Sequence, residues 1–132
     1  MSADGCVFCK IIKGEIPCAK IYENKTCIVF LDLNPINPGH TLVIPKKHVD
    51  YIFDLEDKDY SELFLNAKKV AKVIKATLKP KKVGIAVEGF GVPHAHIHLI
   101  PLNDWYDLNP HNAKPMAKEE LAKIAEKIKK GF

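Results

Sequence analysis

The chain has 132 residues, 47% hydrophobic and 27% charged, a globular balance that excludes disordered and collagen-like classes. Its longest apolar runs, such as Cys27 to Leu31, are too short to span a bilayer, and residues 1–6 carry no apolar signal core, so the reading is a cytoplasmic protein with no membrane partner. The net charge of +4 rests on 20 basic residues, all lysine, which do not interleave with aromatics as a single-strand platform would require; nucleic acid is not the expected partner.

In chain order, Val7 to Lys13 reads as a helical turn stopped by Gly14. Ala19 to Glu23 and Thr26 to Leu31 are strand-like and joined by Asn24-Lys25, which suits a hairpin. Residues 34–39, rich in Pro and Asn, form a loop, and Thr41 to Ile44 is a third strand ending at Pro45. Asp59 and Glu62 make a capping-box pattern that opens a helix running to about Leu78. Its apolar positions Tyr60, Leu63, Phe64, Ala67, Val70, Ala71, Ile74 and Leu78 share one face, and Lys79-Pro80-Lys81-Lys82 ends it. Val83 to Val87 and Ala95 to Ile100 are two further strands. A last helix from Pro115 to Lys130 carries Ala117, Leu121, Ile124, Ala125 and Ile128 on one side. Five strands with few intervening helices predict an α+β fold: a mainly antiparallel sheet with one long helix and a C-terminal helix packed on it. The chain reads as a single domain over residues 1–132.

Chemistry concentrates in His94-Ala95-His96-Ile97-His98. On a strand, residues two apart share a face, so the three histidines line up while Ala95, Ile97 and Leu99 point to the core. Such a face suits either a three-histidine catalytic metal or an imidazole nucleophile whose neighbours hold its tautomer. The preceding loop, Glu88-Gly89-Phe90-Gly91-Val92-Pro93, offers backbone N–H groups that could cradle an anion, which favours phosphate chemistry. Of the four cysteines, Cys6 and Cys9 have the two-residue spacing that metal and redox motifs both use, and Cys18 and Cys27 read as ordinary thiols.

His94 to Ile100 fits the histidine-triad signature, His-φ-His-φ-His-φ-φ with φ apolar, at every position. The likeness extends through Cys6 to Ile12, Phe30 to Pro35 and Pro38 to His48, so that residues 6 to about 101 resemble the Hint-type branch of the histidine-triad family. Residues 102–132 would be a C-terminal extension. The resemblance implies a hydrolase or nucleotidyl transferase acting on the α-phosphate of a purine nucleoside monophosphate conjugate, a phosphoramidate or an anhydride. His96 would be the nucleophile, forming a nucleotidyl-histidine intermediate; His98 would contact phosphate, and His40 would be an additional active-site histidine. Asp32 would hold the ribose hydroxyls. Val7, Phe8, Ile11, Phe30 and Leu33 would line the purine pocket, where core packing explains the same five residues, and Gly91 and Val92 would meet the nucleotide from the loop.

The resemblance also implies a structural zinc on Cys6, Cys9, His48 and His94, with no metal required for the chemistry, and a two-fold homodimer. His94 cannot serve zinc and phosphate through one nitrogen, so it is given to zinc, and phosphate is left to His98 and the loop. This chain departs from the family in a loop about four residues shorter before the triad, with Gly91 where a hydroxyl is expected and Val87 where Asn is usual. The competing readings are a zinc-containing nucleotide-binding adaptor dimer with little catalysis and, more remotely, a metal-dependent hydrolase using the three-histidine face. For Trp105 the readings are packing at a dimer contact, reaching the partner's nucleotide site, or packing on the chain's own core or surface.

Overall fold

The computed structural model describes residues 5–132. In chain order the elements are α1 (Val7–Ile12), β1 (Lys20–Glu23), β2 (Cys27–Leu31), β3 (Thr41–Pro45), α2 (Asp57–Leu78), β4 (Lys82–Ala86), β5 (Ile97–Leu102) and α3 (Lys118–Lys129), with 3₁₀ turns at Ile52–Asp54 and Pro110–Asn112. The strands form one sheet in the order β1-β2-β3-β5-β4, each neighbour antiparallel. The α+β expectation therefore holds.

β2 and β3 are buried along their whole lengths, because the sheet is covered on both faces. Val29, Val43 and Ile97 pair across β2, β3 and β5 and point to the larger core, shared with Leu63, Ala67, Val70 and Ile74 of α2 and Leu121, Ala125 and Ile128 of α3. On the opposite face Phe30, Leu42 and His98 pair in the next row, and Ile28, Phe30, Leu42 and Ile44 pack against Cys6, Phe8 and Cys9 at and beside α1. The period of two in each strand thus sorts aliphatic residues toward the long helices and leaves His98 on the α1 side. Among the described residues no helix is long and apolar enough to cross a membrane.

Several boundaries differ from the sequence expectation. α2 begins at Asp57 with Glu56 as its N-cap, and no side chain closes the cap; Asp59 instead holds Lys47 Nζ at 2.8 Å. The capping box is therefore not formed. β5 begins at Ile97 rather than Ala95, because residues 94–96 make other contacts: Ala95 N–H donates to Val49 O at 2.7 Å, and the His96 ring turns back onto the carbonyl of His94. α3 begins at Lys118 and not at Pro115. Lys114 and Met116 donate backbone N–H groups to Pro35 and Leu33 carbonyls, which ties this stretch to the loop after β2, and Ala117 is an exposed N-cap. The hairpin stands as expected, its turn organised by Asn24 Oδ1, which accepts from the backbone N–H groups of Thr26 and Cys27 at 2.9 Å each. Trp105 is exposed, so it does not pack in this chain's core.

Candidate active site

A cavity of about 450 Å³ opens on the α1 side of the sheet. Val7, Phe8 and Ile11 contribute one wall from α1, Phe30 and Leu42 form its floor, and Asp32 and Leu33 follow from the loop after β2. Gly91 and Val92 close it from the loop before β5, with His96 and His98 at that end. Every residue assigned to nucleotide binding from the sequence, and two of the three assigned to catalysis, line this one space. The exception is His40, which is buried beside the cavity.

His40 acts on the cavity through His98. Gly39, at φ +95°, occupies a left-handed conformation that favours glycine and turns the chain into β3 with the His40 ring inward. The Ile36 N–H donates to His40 Nδ1 at 3.0 Å, so neutral His40 carries its proton on Nε2. That N–H meets His98 Nδ1 at 2.9 Å, which leaves the His98 proton on Nε2. Burial, then the neighbouring His96 and His40, push the His98 pKa down to about 4. Burial lowers that of His40 against the pull of Asp32. His98 is thus a neutral hydrogen-bond donor at pH 7.

The His96 tautomer is set from the other direction. Its Nδ1 lies 2.7 Å from the His94 carbonyl, which can only accept, so Nδ1 carries the hydrogen and Nε2 keeps its lone pair. The Phe8 ring packs edge-on against it, centroids 5.0 Å apart. Asp32 Oδ1 accepts from the Asn34 N–H at 2.9 Å, and Oδ2 lies 3.6 Å from His40 Nε2.

His94 belongs to a second group. Its Nε2 donates to the Pro45 carbonyl at 2.8 Å, so the lone pair is on Nδ1, which lies 3.3 Å from Cys6 Sγ, 3.5 Å from Cys9 Sγ and 3.1 Å from His48 Nδ1. Cys9 Sγ is 3.3 Å from His48 Nδ1. A tetrahedral zinc with bonds of about 2.0–2.3 Å has ligand-to-ligand edges of roughly 3.3–3.8 Å, so the donor set fits a closed four-ligand site. Burial, then the hydrogen bond and charge of Cys6, push the Cys9 pKa up to about 11 when no cation is present. The triad therefore divides: His94 faces the Cys/His cluster, and His96 and His98 face the cavity.

The HIT domain family model matches residues 13–105. The chain belongs to the histidine-triad family. A HIT relative from Schizosaccharomyces pombe, adenosine 5′-monophosphoramidase hnt1, is 36% identical over 131 residues, spanning 93% of this chain and 95% of that one. Adenylylsulfatase HINT3 of Arabidopsis thaliana is 39% identical over 104 residues, 73% of this chain and 51% of its own length. Among solved structures, a Hit-like protein from Bartonella henselae superposes with a TM-score of 0.87 at 29% identity, covering 98% of this chain and 97% of that one.

Sequence reasoning missed Ile16, Pro17, Cys18, Leu31, Asn34, Leu42 and Glu88 as lining residues of the HIT cavity. Leu42 was findable, since it alternates with Ile44 and pairs with both Phe30 and His98. The loop before the triad differs from its expected use. The N–H groups of Phe90 and Gly91, expected to face an anion from outside, donate to Glu88 carboxylate oxygens at 2.8 and 3.3 Å.

Proposed function

We propose that this HIT protein hydrolyses conjugates of a purine nucleoside monophosphate at the α-phosphorus through a nucleotidyl-histidine intermediate. The observation that carries the reading is the His96 tautomer: the His94 carbonyl holds Nδ1–H, so the lone pair is free on Nε2 of a residue that lines the cavity. A neutral imidazole in this state is a competent nucleophile at pH 7 without a metal. The base sits among Val7, Phe8, Ile11, Phe30 and Leu33, and Asp32 takes the ribose hydroxyls, its carboxylate being an acceptor for both. The two relatives named for adenosine monophosphate derivatives support adenine as the base.

His96 Nε2 attacks phosphorus in line with the leaving group, and the bond to that group breaks with its electron pair. A nitrogen leaving group departs as a neutral amine after taking a proton from solvent. His98, neutral and protonated on Nε2, donates a hydrogen bond to the phosphoryl group as charge shifts in the transition state. Water then attacks phosphorus, the P–Nε2 bond breaks, and the electron pair returns to His96. The nucleoside monophosphate leaves, and the proton shed by the water passes to solvent.

The Cys6, Cys9, His48 and His94 set is assigned to a structural zinc. Four protein donors leave no open position, so the ion would lock the His94 backbone that orients His96 and would take no part in the reaction. The four unpaired thiols fit a reducing compartment. A two-fold dimer through β4 suits a sheet whose edge strand exposes Ile85 beside exposed Val87.

The test is release of adenosine monophosphate from adenosine 5′-phosphoramidate. Wild type should turn over and His96→Ala should lose at least a thousandfold in kcat while still binding adenosine monophosphate. Full activity in the variant would exclude the mechanism. A wild type that binds the monophosphate tightly and releases nothing would establish instead the adaptor reading, which the shortened loop motivates.

A further inference from the structure

Glu88 stands in the loop between β4 and the triad, and its carboxylate lies close to the two cavity histidines. Ligand atoms of Glu88, His96 and His98 all lie within 4.8 Å of one another. Its polar partners are the Phe90 and Gly91 N–H groups, at 2.8 and 3.3 Å. Burial raises its pKa, but the Phe90 and Gly91 N–H donors work against that effect, and it ends below the ordinary carboxylate value. Glu88 is therefore an anion at neutral pH and occupies the loop donors that a bound phosphate would otherwise use.

The charge inventory of the cavity points the same way. Its lining residues include two carboxylates, Asp32 and Glu88, and no lysine, in a chain with 20 lysines. His98 is neutral, so no fixed cation offsets a second anionic group. Glu88 and His96 also line an adjoining cleft with Asp50, Tyr51, Phe53 and Phe90, again without a lysine. An extended leaving group that passes Glu88 meets a second carboxylate and three aromatic rings there.

We propose that Glu88 makes the leaving-group end of this site selective for nitrogen leaving groups that acquire positive charge, and against sulfate and polyphosphate. The proposal rests on the hydrolase reading above and names its substrate class. A P–N bond breaks once its nitrogen is protonated, and a carboxylate close by stabilises that ammonium character. The same carboxylate repels a sulfate or phosphate leaving group. A unit charge about 5 Å away in a partly solvated site changes such a preference roughly ten- to a hundredfold.

The experiment compares wild type with Glu88→Gln, whose single amide oxygen can still accept from the Phe90 N–H, the shorter of the two loop contacts, while the charge is gone. The kcat/KM values are measured for adenosine 5′-phosphoramidate, adenosine 5′-phosphosulfate and diadenosine tetraphosphate, and the Kd for adenosine monophosphate is measured by calorimetry. Wild type should prefer the phosphoramidate, and the variant should lose roughly ten- to a hundredfold of that preference, in part by gaining on the anionic leaving groups. It should also bind adenosine monophosphate several-fold more tightly. An unchanged preference ratio would overturn the role of Glu88 while leaving the histidine mechanism standing. Absence of turnover in both proteins, with tighter monophosphate binding by Glu88→Gln, would retain the charge effect and sink the hydrolase reading. Absence of both would overturn the two together.

Discussion

At the scale of single residues, the site is a set of proton positions fixed by backbone groups. The Ile36 N–H determines His40, His40 determines His98, and the His94 carbonyl determines His96. Removing the middle of the first chain, in His40→Ala, frees His98 to adopt the other tautomer with no donor toward the cavity. We expect kcat for phosphoramidate hydrolysis to fall roughly ten- to a hundredfold, as for loss of groups that orient a reacting imidazole, while the Kd for adenosine monophosphate changes less than threefold. Parallel loss of binding and turnover would instead assign His40 to the fold alone. The facing of His98 was legible in the sequence because a strand forces residues two apart onto one face, whereas His94 and His96 precede β5 and His94 turns to the Cys/His cluster instead. The tautomers were not legible. They depend on Ile36 and on a backbone carbonyl, neither of which carries a side-chain signature, and the capture of the loop N–H groups by Glu88 depends on how a glycine-rich loop closes on itself.

At the scale of elements, the sheet and the long helix were readable from period alone, and the errors fell where tertiary contacts outweigh local pattern. Asp59 resembles a helix cap but is drawn to Lys47, and Pro115 resembles a helix start but sits in a stretch bonded to Leu33 and Pro35. The latter contact lets residues 114–116 brace the loop that carries Asp32 and Leu33 into the cavity, a link invisible to any local pattern. Gly39 is the hinge of that same loop. A Cβ there would collide with the Leu78 side chain and press on Pro101, at a φ of +95° that L side chains rarely adopt. Gly39→Ala should therefore cost about 2 kcal/mol or more in urea unfolding, from backbone strain and overpacking together. It should also reduce turnover, since His40 is the next residue. A variant of wild-type stability would show that the loop relaxes elsewhere.

At the scale of the whole molecule, folding buries imidazoles in neutral form, and this ties stability to pH. Burial lowers the pKa values of His40, His94 and His98, the last to about 4. An unfolded histidine titrates near 6.5. Between about pH 6.5 and 4 the unfolded chain thus binds more protons than the folded one, and acidification through that window favours unfolding. The stability from neutral burial is fully present above about pH 6.5, declines as the pH falls, and has lost the whole His98 share below about 4. With about 1.36 kcal/mol per pKa unit, His98 alone accounts for a loss on the order of 3 kcal/mol. A structural cation would hold His94 neutral and protect its share, so apo protein should lose more across the window than metal-loaded protein. Urea unfolding at intervals from pH 7.5 to 4.5 measures the slope directly, and His98→Asn should flatten it. A free energy of unfolding that rose on acidification would mean that His98 takes up a proton on folding, and the neutral donor at the head of the cavity would be lost with it; a level one would mean that folding leaves its pKa near the unfolded value.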